Sequence, residues 1–265
     1  MYYIGKEWKE NIRGKGLWLA LSIIVVLSVL MMFKSSVLSV DQGFYFLLLH
    51  LFDTLVYFIP VLCLFLGAFS IFQEKEQKTL IMLLTKRETF ASFLWQKSLS
   101  IWIVLLIPVV AWFFIYLVPL KFMLILDFKS YLYFLTAIIT IIIVFLQLGT
   151  LIGSISRSRM QIVGLTIFVW FYFFFLHDFI LLSFLEKVTY ENVKLFSVFY
   201  FLNPFQAGRM FLEGGLGVLS VGHMSKLMQT FLWTKPSIFL LGNLVFWIIF
   251  SYVLSLVFHR KEGVE

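Results

Sequence analysis

Six apolar stretches, each about as long as a bilayer is thick, limit what this chain can fold into. They run over residues 17–33, 44–72, 98–120, 131–153, 161–185 and 238–258. A helix rises about 1.5 Å per residue, so roughly 20 apolar residues cross about 30 Å of hydrocarbon, where every backbone amide must be paired within the segment. The pattern predicts an all-α integral membrane protein of six transmembrane helices, forming one domain over 1–265. Composition agrees: 62% of residues are hydrophobic and 13% charged, against about 45–50% and 25% in soluble domains. The first stretch is short, but Trp18 and Lys34 can lie at the two interfaces. A charged segment precedes it and no small-residue cleavage site follows, so it reads as a span and not as a signal peptide. Pro60 and Pro108 fall inside the second and third spans, where neighbouring helices can satisfy the freed carbonyls.

The excess of Lys and Arg, 21 against 14 Asp and Glu, would point to nucleic acid in a soluble chain. Here the basic residues sit in the gaps between spans, so no nucleic-acid partner is expected and they report orientation instead. One set of gaps holds Lys6, Lys9, Arg13 and Lys15, then Lys75, Lys78, Lys86, Arg87 and Lys97, then Arg157 and Arg159, then Arg260 and Lys261. The alternate short gaps hold Lys34, Lys121 and Lys129. The richer set is predicted to face the cytoplasm, which places both termini there and the long segment 186–237 outside. The single cysteine, Cys63, lies within a span, which excludes an intrachain disulfide and a cysteine-based zinc site.

Between spans two and three, 73-QEKEQKTLIMLLTKRETFASFLWQK-97 alternates charged and apolar residues. Leu80, Leu83 and Leu84, then Phe90, Phe93 and Leu94, recur at helical spacing, while Glu74, Lys75, Glu76, Lys78, Lys86, Arg87 and Glu88 occupy the flanks. This predicts short amphipathic helices on the cytoplasmic face. Such a helix can lie on membrane lipid or dock on a protein. The mixture of charge signs suits a protein surface better, because a lipid-binding helix favours lysine and arginine.

The run Glu74-Lys75-Glu76-x-x-Thr79-Leu80-x-x-Leu83-Leu84-Thr85-Lys86, ending at Lys97, resembles the signature between spans two and three of ABC-2 type permeases, the membrane subunits of one class of ATP-binding-cassette transporters. Lys78 stands where that signature has glycine, and Arg87 where it has proline. The N-terminal 5-GKEWKENIRGKGLW-18 is similar to the family's amphipathic elbow helix, taken here as 1–16, and 149-GTLIGSISRSRMQIVG-164 to its inner turn between spans four and five. The stretch 201-FLNPFQAGRM-210 resembles the subgroup that contains the permease of the nitrous oxide reductase maturation exporter.

The resemblance implies an ABC-2 (type V) exporter-like fold in the bacterial cytoplasmic membrane. It also implies a second permease, normally an identical copy, and two ABC ATPase subunits that carry ATP and Mg. It makes 73–97 the coupling segment that enters a groove on the ATPase, with Leu80, Leu83 and Leu84 as apolar anchors and Glu74, Glu76 and Lys86 at the rim. It places an external gate in 186–237, with Asn203, Pro204 and Arg209 in it. The chain has no G-x-x-x-x-G-K-[ST] loop and therefore no phosphate cradle of that kind; no catalytic residue and no cofactor of its own are expected.

Polar residues within spans mark candidate pathways. His50 and Asp53 lie in span two, His177 and Asp178 in span five, all in the outer half by helical rise. They can converge on a metal or cation, bond one another between helices, or sit near the headgroups. Neither pair has a recognised metal spacing, and no metal site is expected. Gly149-x-x-x-Gly153 reads as close helix packing. Two function classes follow: a permease driven by a separate ATPase, and an ATPase-independent scaffold or channel whose inner loop binds lipid.

Overall fold

In the computed structural model the described residues are 5, 8–10, 12, 14–35, 40–77, 89–218 and 225–261. They form helices α1 (Lys15–Ser35), α2 (Val40–Glu76), α3 (Phe90–Met123), α4 (Phe128–Ile155), α5 (Arg159–Phe171), α6 (His177–Phe184), α7 (Val193–Phe201), α8 (Pro204–Gly215), α9 (Lys226–Phe231) and α10 (Pro236–Lys261), with no strand among them. A π turn, Tyr172–Leu176, joins α5 to α6. Six helical stretches are long and apolar enough to cross a membrane: Gly16–Lys34, Gly43–Glu76, Phe90–Met123, Phe128–Ile155, Arg159–Lys187 and Pro236–Phe258. Gly5, Trp8–Glu10 and Ile12 are helical too, and the Trp18 indole donates to the Ile12 carbonyl at 2.8 Å.

Local sequence sets the helix starts. The Thr89 hydroxyl accepts from the Ser92 N–H to open α3, and the Asp127 carboxylate accepts from the Lys129 N–H to open α4. Ser158 opens α5 through the Gln161 N–H, and Asn203 opens α8 through the Phe205 N–H, with Pro204 at the first helical position. Each supplies a side-chain oxygen to one of the four N–H groups that a helix start leaves orphaned.

The centre of the bundle is α4, buried over most of its length, and its most extensive neighbour is α2. Gly67, Gly149 and Gly153 make that contact possible. A Cβ on Gly67 would stand 2.5 Å from the Leu146 carbonyl oxygen, and one on Gly149 would stand 2.6 Å from that of Leu64. The obstacles are backbone atoms, which cannot swing aside, so these positions admit only hydrogen. Small residues let the two backbones touch, and dispersion rather than the hydrophobic effect drives such contacts in lipid.

Other helices are pinned by side-chain donors to backbone carbonyls of neighbouring elements. Tyr116 of α3 donates to the Ser28 carbonyl of α1 at 2.8 Å, and Tyr131 of α4 donates to the Phe113 carbonyl of α3. Asn243 and Trp247 of α10 both donate to the Leu202 carbonyl, at 2.8 and 2.9 Å. Each bond leaves fewer polar groups facing hydrocarbon. The stretch 186–237 carries α7, α8 and α9, none long enough to cross a bilayer.

Candidate functional site

Two clusters of polar side chains stand along α2, one at its last turn and the other around Asp53, thirteen residues in from Val40 toward the opposite end. Glu74 and Asp53 are separated by about 31 Å of helix at ~1.5 Å per residue.

At the Glu74 end, three consecutive residues reach three different helices. Lys97 Nζ of α3 donates to Glu74 Oε1 at 3.0 Å, and the two side chains are only 2% and 4% exposed. Lys75 Nζ donates to the Ser154 carbonyl in the last turn of α4. Arg159 Nη2, at the start of α5, donates to both carboxylate oxygens of Glu76, at 3.0 and 2.8 Å. Successive helix residues point about 100° apart, so the last turn of α2 is held on three sides. α3 reaches Lys97 because it begins at Phe90. The stripe Phe90, Phe93 and Leu94 buries against Ile71, with Tyr252 and Leu256 of α10 beside it, and the Tyr252 hydroxyl donates to the Ala91 carbonyl at 3.0 Å.

At the other end, a cavity of about 260 Å³ is bounded by Asp53, Tyr57, Phe174, Asp178, Gln206 and Arg209 among others. The polar residues in and around it form two bonded sets. The Tyr200 hydroxyl donates to Gln206 Oε1 at 2.7 Å, and Gln206 Nε2 donates to Asp178 Oδ2 at 2.6 Å. His177 Nε2 lies 3.0 Å from the Phe199 carbonyl. A carbonyl only accepts, so that nitrogen carries a proton. Asp178 Oδ1 stands 3.0 Å from His177 Nδ1. Asn203 is fully buried and donates to the Phe173 carbonyl at 2.8 Å, inside the π turn. Arg209 is held by Glu213 at 2.9 Å and lies 3.9 Å from Asp53. The Tyr200 hydroxyl is pushed up to about 12, first by burial and then by the Asp178 charge.

The structure thus brings Asp53, Asp178, Asn203 and Arg209 around one cavity, with His177 behind it and Pro204 opening the helix that carries Gln206 and Arg209. His50 does not join them. Its ring is exposed and stacks on Phe46 with centroids 6.3 Å apart, because three residues along a helix turn a side chain some 60° off the Asp53 direction. Among the described residues no group of three or more His, Cys, Asp and Glu side chains is placed to hold a metal ion. At the Glu74 end, Thr79, Leu80, Leu83, Leu84, Thr85 and Lys86 lie outside the described residues. Glu74 is not a rim residue: it is 3% exposed and turned toward Lys97. Sequence reasoning did not single out Arg159, Ser154, Gln206 or Glu213 as site residues. For the last two the signal was present, since Gln206, Arg209 and Glu213 follow the Asn-Pro cap at three- and four-residue spacing, on one helix face.

Compared with known proteins, residues 1–264 match the model of a family described as ABC-2 family transporter protein. No curated protein matches the chain.

Proposed function

The chain belongs to the ABC-2 transporter family, and on that premise we propose that it is the permease subunit of an exporter whose ATP is hydrolysed on a separate ABC ATPase. A match over nearly the whole chain and six helices able to cross a membrane make it a transporter membrane subunit, a transport component and not itself a catalyst. Beyond that, two permeases pair, two ATPases dock beneath them, and the Glu74 end faces the cytoplasm of a bacterial cell. The distribution of Lys and Arg supports that orientation. Asn203-Pro204 and Arg209 support a place near the nitrous oxide reductase maturation subgroup.

The observation that carries the reading is the fastening of α2, α3, α4 and α5 to one another at the base of the connection 77–89. A helix docked on an ATPase moves spans only if its stems do not bend. In this reading closure of the ATPases tilts the fastened spans, and the cavity beside Asp53 and Asp178, in the other half of α2, widens or closes.

Two measurements test this. The purified chain in nanodiscs binds and hydrolyses no ATP, and the complex with its ATPase hydrolyses it; nucleotide binding by the chain alone would overturn the division of labour. With Cys63 replaced by serine, an impermeant thiol reagent applied to intact cells labels Glu213→Cys and not Gln77→Cys. The reverse pattern would overturn the orientation. A chain that never associates with an ATPase would leave an ATPase-independent scaffold or channel.

A further inference from the structure

The three charged residues that end α2 are used up inside the chain. Glu74 goes to Lys97 on α3, Lys75 to the last turn of α4 and Glu76 to Arg159 at the start of α5. Glu74 and Lys97 bracket the connection 77–89, one on each stem, and Lys75 and Glu76 together grip the two sides of the α4–α5 turn. We propose that Glu74, Lys75, Glu76, Lys97 and Arg159 are positioning residues. They join the ends of α2 and α3 that flank residues 77–89, and the facing ends of α4 and α5, into one rigid body, and they are not contacts for the ATPase. The inference rests on the permease reading for its purpose, but the rigid body itself is a property of this chain.

Physical chemistry favours a geometric role for the buried pair over a stabilising one. Desolvating a carboxylate and an ammonium cancels much of their attraction, and apolar residues of similar volume commonly do as well or better. What an apolar pair lacks is direction. A 3.0 Å ammonium–carboxylate bond holds two helices at one relative height and rotation, whereas two methionines slide. The outer members of the set are suited to the same task. Arg159 Nη2 meets both oxygens of Glu76, an exposed contact that joins α5 to α2 but adds less rigidity than the buried pair. With these carboxylates occupied, recognition of an ATPase falls to the amphipathic stretch that includes Leu80, Leu83 and Leu84.

The test uses the whole chain in nanodiscs, with Cys63→Ser and spin labels at Gln77→Cys and Ser92→Cys, one on each stem. Pulsed dipolar spectroscopy gives the distance distribution between them. The account expects a narrow distribution in the otherwise unchanged protein. Lys97→Met and the double variant Glu74→Met/Lys97→Met should widen it at least twofold, and the exchange Glu74→Lys/Lys97→Glu should narrow it again. Thermal unfolding is measured in parallel, and the double methionine variant should melt no lower than its parent. A double methionine variant with an unchanged distribution would overturn the proposal. So would one that fails to fold, since the pair would then be a folding requirement and not a positioning device. If Lys97→Met alone fails to fold, the double variant and the exchange decide. In a separate arm, Glu76→Gln should leave co-purification of the ATPase unchanged, and its loss would place Glu76 in the ATPase interface. Failure of the parent chain to bind any ATPase would end the permease reading and leave the distance result standing.

Discussion

One helix, α2, carries Glu74 in its last turn and Asp53 in its N-terminal half, and the two meet basic partners on opposite terms. Glu74 and Lys97 are 3.0 Å apart with side chains 4% and 2% exposed; Asp53 and Arg209 are 3.9 Å apart with side chains 41% and 54% exposed. The first pair is cut off from solvent, so separating it moves buried charges apart with little water to replace the bond. The second is screened, and Arg209 already has Glu213 at 2.9 Å, so it separates at little cost. The same chemistry therefore makes a fixed joint at one end and an adjustable contact, beside a cavity, at the other. A lever that is stiff where force enters and loose where a pathway opens would be built this way.

The contrast is sharpest in paired substitutions. Lys97→Met takes the ammonium away from a buried carboxylate, and should destabilise the protein by about 3–5 kcal/mol. Arg209→Met should cost less than about 1 kcal/mol. Denaturant unfolding of both variants in the same lipid checks this, and equal losses would break the comparison. Asn203→Ala should fall between them at about 1–2 kcal/mol, because it removes the α8 cap and the donor to the Phe173 carbonyl. Arg159→Gln removes an ion pair whose side chains are 70% and 44% exposed. Its effect on the melting temperature should be small and should disappear in high salt.

The smallest effect concerns Asp127, between α3 and α4. Its carboxyl is held below the usual carboxylate range, chiefly by the Ser130 hydroxyl and also by the backbone N–H of Lys129. A lowered folded value means that this contribution is complete above the carboxyl's unfolded value and is lost as pH falls through the folded one. Asp127→Asn should therefore lower stability slightly at neutral pH and flatten its further loss below about pH 4. An unaltered acid slope would show that the cap carries no measurable weight.

The six apolar helices were legible in the sequence because length and hydropathy alone decide them in a membrane. Gly149-x-x-x-Gly153 was legible as a packing face for the same reason that Gly67 completes it: only hydrogen fits between touching backbones. The pairing of Glu74 with Lys97 was not. Both stand at the edges of apolar runs, where charge ordinarily means a solvated flank. Only the early start of α3 at Phe90, set by the Thr89 cap and the Phe90, Phe93 and Leu94 stripe, brings Lys97 inside. The cluster at the other end was half legible. His177 and Asp178 stood out as polar residues within a span, and Asn203 and Arg209 through the resemblance of the Asn-Pro stretch, but their convergence needs the π turn and the fold of α7 and α8 over α6. Local pattern also favoured His50, which the true helix rotation leaves outside.

Co-purification from native membranes tests the central claim most directly. The chain is extracted in mild detergent at matched expression as the parent, as Leu83→Glu and as Arg209→Gln, and the bound material is identified by mass spectrometry and assayed for ATP hydrolysis. The account predicts an active ABC ATPase in fixed ratio to the parent and to Arg209→Gln. It predicts loss of that subunit from Leu83→Glu, because a charge driven into an apolar groove costs several kcal/mol. Full retention by Leu83→Glu, or no ATPase bound to the parent, would contradict it.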